Sequence, residues 1–169
     1  SATVRRLLDL PADRLLPEAY RLSAPVSPHW AAERDGVTIE PERLALPAGD
    51  GPLVVETAGG LLVPLGRDWL QSEQLRRWAL PVILVARSGL GTLNHTLLSL
   101  DALGARAIPV LGLVLNGTPH PDNPRTLEQL GGVPVLAQLP RLAALNAATL
   151  AEQWRLQAMQ HHWPEEPTP

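Results

Sequence analysis

The sequence predicts an α/β domain with a doubly wound, mostly parallel sheet, and three observations carry that prediction. Val82 to Val85 and Pro109 to Leu115 are unbroken apolar runs, as expected of strands covered on both faces in a parallel sheet. Between them Leu93, Leu97, Leu98, Leu100 and Leu103 recur at helical spacing, so the pair is joined by an amphipathic crossover helix, the connection that parallel strands require. The same alternation of strand and helix continues on both sides of this unit.

In chain order, Ser1 to Leu10 reads as a short helix with Val4, Leu7 and Leu8 on one face, stopped by Pro11. Glu18 to Leu22 is expected as a short strand. Ser27 then caps a helix with Pro28 in its first turn, ended by Gly36. Pro41 to Leu46 reads as a second short helix, Pro47 to Pro52 as a loop, and Leu53 to Glu56 as a buried strand. Leu61 to Leu65 is apolar and extended. Asp68 with Gln71 resembles a capping box opening a helix from Trp69 to Trp78. Strand 81–86, helix 92–106 and strand 109–115 follow. Asn123-Pro124 opens a helix through Leu130, Gly131-Gly132 turns, and Val133 to Leu139 forms the last strand, ended by Pro140. Leu142 to Met159 is expected as a C-terminal helix. Residues 1–160 are read as a single domain, and 161–169, with His161 and His162, as a flexible solvated tail.

Composition narrows the function. The 169 residues are 45% hydrophobic, enough for one core and too few for two comfortable domains. A formal net charge of −3 argues against nucleic acid as the main partner. Without cysteine there is no disulfide, thiol nucleophile or cysteine metal site, which fits a cytoplasmic protein. No apolar run reaches the roughly 18 residues of a membrane helix, and the N-terminus shows no secretory hydrophobic core. All 14 basic residues are arginine. These residues therefore hold no GxxxxGK phosphate loop, whose lysine reaches the β- and γ-phosphates, and no Schiff-base lysine.

Open parallel sheets bind ligands outside the carboxyl ends of their strands. Three such ends carry chemistry: Glu56-Thr57-Ala58-Gly59-Gly60 after Val55, Arg87 to Asn94 after Ala86, and Asn116-Gly117-Thr118 after Leu115. All three are candidates to line one cleft. Glu56 offers a carboxylate for Mg²⁺ beside glycines that permit close backbone approach, or it is an exposed loop glutamate. Gly91 to Asn94 opens a helix whose free amides make an anion site, or Thr92 merely caps it. Asn116 carries the paired amide donor and acceptor that match an adenine edge, or is a turn residue. His95 reads as a locally satisfied helix residue, with contact to the ligand as the alternative.

Taken together, Ser27-Pro28-His29, the run VVExAGGxxxPL from Val54 to Leu65, the run from Pro81 through Gly91, Asn94 and His95 to Leu98, and Asn116 stand in an order and spacing that resemble dethiobiotin synthetase. The resemblance covers Ser1 to Leu142. It implies a homodimeric P-loop fold whose N-terminal βαβ portion is not among these residues. It implies closure of the ureido ring of dethiobiotin from 7,8-diaminononanoate, CO₂ and MgATP, through a carbamate and a carbamic-phosphoric anhydride. Glu56 would then help hold Mg²⁺, and Glu56, Thr57, Ala58 and Gly59 would touch ATP. Asn116 and Gly117 would meet the adenine, flanked by Pro140, Arg141 and Leu142. Gly91, Thr92, Leu93 and Asn94 would receive the substrate carboxylate from the neighbouring subunit.

The sequence departs from the family pattern in two places. Thr57 stands where glycine is usual, and no acidic residue occurs among Leu145, Asn146 and Ala147. With the phosphate loop and its lysine outside these residues, no catalytic lysine is assigned, and the 169 residues alone are expected to be inactive. Two other readings stand beside this one: a non-catalytic paralogue serving as a binding or scaffold module, and a related P-loop ligase or amidotransferase.

Overall fold

The computed structural model describes residues 2–49 and 51–162; the expected tail beyond His162 lies outside the described residues. In chain order the elements are α1 (Ala2–Leu8), α2 (Pro28–Arg34), α3 (Gln71–Trp78), β1 (Val82–Arg87), α4 (Thr92–Gly104), β2 (Val110–Asn116), α5 (Asn123–Gly131), β3 (Val135–Leu139) and α6 (Ala147–Leu156), with short 3₁₀ turns at Ala12–Arg14, Pro41–Leu44 and Met159–His162. The chain divides into two compact units. Ser1–Pro17, Pro81–Asp101 and Val110–Pro169 form the first, and Glu18–Leu80 with Ala102–Pro109 the second.

The first unit is a three-stranded sheet in the order β1-β2-β3, parallel throughout. Its central strand is the most deeply covered, with Leu113 and Leu115 fully buried. On one face Leu113 and Leu115 pack with Leu127 of α5 and with Leu93, Leu97 and Leu100 of α4. On the other, Val114, Leu136 and Ala137 meet Ile83, Leu139 and Met159. Along β2 the alternation of Leu113, Val114 and Leu115 follows from the period of two along a strand, while in β3, whose pairing with β2 is irregular, the neighbours Leu136 and Ala137 join the same cluster. Gly112 lets β2 and β3 close up, since a Cβ there would lie 2.6 Å from Leu136 Cγ and 2.7 Å from the Pro134 carbonyl oxygen.

Three of the four expected sheet strands are present. The fourth, Leu53 to Glu56, is not a strand: no ladder pairs it among the described residues, and Val54 is 75% exposed. A β-branched run favours extended backbone, but a strand is defined by a hydrogen-bonded neighbour. Val85, expected to be covered, is 62% exposed on the edge strand β1. The C-terminal helix starts at Ala147 rather than Leu142, because Asn146 caps it, its side chain accepting the Thr149 amide at 3.0 Å while the Thr149 hydroxyl bonds the Ala144 carbonyl. It ends at Leu156, and His161 lies in the following 3₁₀ turn. None of the residues of α1 is buried, so the face of Val4, Leu7 and Leu8 has no deep packing.

In the second unit Ala32, Ile39 and Leu65 form the core, with Tyr20, Leu22, Leu44 and Trp69 against it. The expected strand at Glu18 to Leu22 is absent. Tyr20 and Leu22 reach the core from irregular chain held by the Tyr20 hydroxyl, which accepts the Glu40 amide at 2.9 Å, rather than by a ladder. Ser27 occupies the N-cap of α2, but its hydroxyl bonds His29 Nδ1 at 2.9 Å and caps no amide. Leu61 to Leu65 is a turn followed by a single antiparallel bridge, Pro64 to Leu70, instead of an extended segment. That bridge also moves the start of α3: Trp69's carbonyl accepts the Leu65 and Gly66 amides, so the helix opens two residues later than expected, with Glu73 accepting the Leu70 amide. Asp68 and Gln71 form no box. The segment 41–46 is a 3₁₀ turn, Pro41–Leu44.

Two helix ends in this unit are unusual. Ala79, after α3, and Ala107, after α4, both have φ of 53°. Ala79 closes α3 by donating to the Leu75 carbonyl at 3.2 Å, the role that a left-handed glycine usually takes.

Candidate functional site

The parallel register places the carboxyl ends of β1, β2 and β3 side by side. Arg87 pairs with Asn116, and Asn116 with Leu139. One step further on, the Ser88 amide donates to the Asn116 carbonyl at 3.1 Å and the Gly117 amide to the Leu139 carbonyl at 2.8 Å. Asn116 is thus pinned from both neighbours, while its side chain is exposed and makes no hydrogen bond among the described residues. Gly117 has φ of 134°, and a Cβ on it would fall 2.6 Å from Ser88 Oγ. Only glycine serves there. Pro140, directly after Leu139, continues the same rim. Of the sequence-predicted residues, the structure therefore brings together Asn116, Gly117, Pro140 and the loop that leads to Gly91.

That loop opens α4. The Thr92 amide donates to the Gly89 carbonyl and the His95 amide to the Gly91 carbonyl, both at 3.1 Å. No hydrogen bond from the Leu93 or Asn94 amide is formed among the described residues, leaving the orphan donors of a helix start. Thr92 does not cap: it is buried, and its hydroxyl pairs with that of Thr96 at 3.3 Å. Gly91, with φ of 90°, has the Arg87 guanidinium and the His95 ring about its Cα, at 3.9 and 4.0 Å from where a Cβ would stand. The arrangement suits an anion. Arg141 is exposed and Leu142 half-buried, both in irregular chain after β3.

Glu56 to Gly60 belong to the second unit. Glu56 and Ala58 are exposed, and Thr57 is half-buried. The Gly59 amide donates to the Thr57 carbonyl at 3.2 Å, a tight three-residue turn, and Gly59 has φ of 91°. Beneath it lies Gln71, buried, whose amide donates to the carbonyls of Gly59 at 3.3 Å and Gly60 at 3.1 Å. Sequence reasoning placed Gln71 in a capping box and missed this brace. The only signal was a polar residue recurring on a helix face that packs inward.

The Glu56 carboxylate has no hydrogen bond or ion pair among the described residues. No group of three or more His, Asp or Glu that could hold a metal occurs among them. Mg²⁺ keeps most of its waters and takes one or two carboxylates together with substrate phosphates, so a single unpaired carboxylate on a glycine turn fits as one ligand. No helix among the described residues is long and apolar enough to cross a membrane.

Asn123 is the second residue whose part was missed. Expected as a helix opener, it is buried, and its side-chain amide donates to the Ser88 carbonyl at 3.2 Å. Asp122 holds the N-cap position instead. Thirty-five residues separate the partners, so no local pattern could signal the pair.

Comparison with known proteins gives a consistent picture. A family model described as an AAA domain matches residues 1–149. The chain is 58% identical over 147 residues to the ATP-dependent dethiobiotin synthetase BioD of Rhodopseudomonas palustris strain HaA2, covering 87% of this chain and 69% of that one. It is 52% identical over 151 residues to the protein of the same name from Rhizorhabdus wittichii, covering 89% and 72%. To that from Agrobacterium fabrum strain C58 it is 51% identical over 150 residues, covering 89% and 71%.

Proposed function

This chain belongs to the dethiobiotin synthetase family, and on that premise we propose that it closes the ureido ring of dethiobiotin from 7,8-diaminononanoate and CO₂ with ATP, a step of biotin biosynthesis. It is an ATP-dependent ligase. One amine of the substrate adds to CO₂, forming an N–C bond and releasing a proton, to give a carbamate. A carbamate oxygen then attacks the γ-phosphorus of ATP and ADP leaves. The second amine attacks the carbonyl carbon of this anhydride, an N–C bond forming as the C–O bond to phosphate breaks, and phosphate leaves with the proton the amine gives up, closing the ring. Holding the reactants together and spreading negative charge are the protein's main contributions to such a sequence.

The residues divide the work as follows. Asn116 and Gly117 meet the adenine, with Pro140, Arg141 and Leu142 flanking it. Glu56, Thr57, Ala58 and Gly59 approach the phosphates, and Glu56 is the Mg²⁺ ligand. Held by Glu56, Mg²⁺ would supply neutralisation of the phosphate charge during transfer. Gly91, Thr92, Leu93 and Asn94 take the substrate carboxylate, presented by the neighbouring subunit of a homodimer. The unpaired amides of Leu93 and Asn94 support that role. The cytoplasm as the site of action and residues 1–160 as one domain belong to the same proposal.

The observation that carries the reading is Asn116: a free amide on a backbone fixed from both sides, at the carboxyl edge of a parallel sheet. The test is direct. The protein as its gene encodes it, given diaminononanoate, bicarbonate, ATP and Mg²⁺, should yield dethiobiotin and ADP in equal amounts. ADP without dethiobiotin, or neither product, would overturn it.

A further inference from the structure

We propose that Asn123 is a positioning residue for the nucleotide, acting through Ser88 on the adenine-reading Asn116; the inference rests on the reading of Asn116 given above. Asn123 and Ser88 are 8% and 5% exposed, and the Asn123 amide donates to the Ser88 carbonyl at 3.2 Å. The Ser88 amide in turn donates to the Asn116 carbonyl, and the Ser88 hydroxyl fills the space left by the missing Cβ of Gly117. One buried side chain on α5 therefore sets the peptide that holds Asn116 on its β1 side.

The ordinary explanation of an asparagine here is a helix cap, and the geometry does not support it. Asp122 occupies the cap position, and the Thr126 hydroxyl and amide both bond Asp122, at 2.9 and 3.1 Å. The Asn123 main chain is anchored separately, its amide donating to His120 Nδ1 at 3.1 Å. Its side chain is spent on Ser88 alone. Without that amide the Ser88 carbonyl would be buried and unsatisfied, and the loop would shift to find a partner. A recognition amide must be held to within a fraction of an ångström to discriminate one base edge from another. The same loop runs on to Gly91, so a smaller effect on the diamine is expected.

The experiment uses the protein as its gene encodes it, with the variants Asn123→Ala, Asn123→Asp and Thr126→Ala. Asn123→Asp keeps the volume and removes the donor; Thr126→Ala loosens the same helix end without touching Ser88. For both Asn123 variants, the Kd of ATP by calorimetry and the KM for ATP should rise about tenfold, with kcat changed less than about threefold. The preference for ATP over inosine triphosphate should narrow, while Thr126→Ala, at a comparable loss of melting temperature, leaves both unchanged. ATP binding within twofold of wild type in both Asn123 variants, or an equal weakening in Thr126→Ala, would overturn the proposal. Failure of the wild type to form dethiobiotin would count against the proposed reaction, while the calorimetry would still decide the role of Asn123.

Discussion

Glu56 combines exposure, an unpaired carboxylate and a glycine turn braced from beneath by Gln71. Replacing it with glutamine changes the charge and hardly the shape. Glu56→Gln should lower kcat by at least about 100-fold, as loss of a charge-stabilising contact to a transferring phosphoryl group does, with the melting temperature unchanged. Dethiobiotin formation measured against Mg²⁺ concentration checks it. Two other carboxylates matter for stability rather than chemistry. The Arg67 guanidinium, with both of its bonds to Glu33 at 2.7 Å, holds that carboxyl below its usual 4.5, and the Ser23 hydroxyl and then its amide hold Asp35 below 3.8. Because both are lowered on folding, their contribution is complete above the unfolded values and is lost as pH falls through the folded ones. The melting temperature should therefore be insensitive to these groups above about pH 5 and fall below about pH 4, with Glu33→Gln flattening that fall. A series of thermal melts across this range checks the sign.

At the scale of elements, Gly112 is where the β2 to β3 contact is most sensitive. Gly112→Ala forces a methyl against Leu136 and the Pro134 carbonyl, and should destabilise the fold by about 1–3 kcal/mol in chemical denaturation. The elements that could be read directly from the sequence are those whose signal is local and repeated. Val82 to Val85 and Pro109 to Leu115 announce strands, of which only the second is deeply buried, and the leucines at 93, 97 and 100 announce the helix that packs on them. Leu53 to Val55 uses the same vocabulary and forms no strand, because pairing is a property of the neighbour and not of the run. The start of α6 was written in Asn146 and Thr149, yet the leucine at 142 suggested a longer helix. At the site, Asn116, Gly117 and Gly91 were visible as residue types at strand ends. Gln71 and Asn123 were not, since their partners stand 12 and 35 residues away.

For the whole molecule, the proposed assembly makes a prediction that neither subunit could satisfy alone. If the carboxylate site at Asn94 serves the partner's Mg²⁺ site, a dimer of one Glu56→Gln subunit and one Asn94→Ala subunit has one site with both lesions and one intact. Equal, freely exchanging mixtures, assayed with diamine below the KM of Asn94→Ala, should recover roughly a quarter of wild-type activity, half the dimers being mixed and half their sites whole. No recovery would place both residues in one subunit, and sedimentation as a monomer at micromolar concentration would remove the premise.

Ala79 and Ala107 bear on a different matter, the protein's tolerance of change. Each ends a helix in the left-handed region at φ of 53°, where a side chain is disfavoured. Ala79→Gly and Ala107→Gly should each raise stability by up to about 1 kcal/mol, the opposite of what glycine does inside a helix, because relief of the steric clash outweighs the added chain entropy. Such unclaimed stability is evolutionary headroom: two single-codon changes, at residues given no part in the proposed reaction, would let the protein absorb a destabilising mutation elsewhere and survive it.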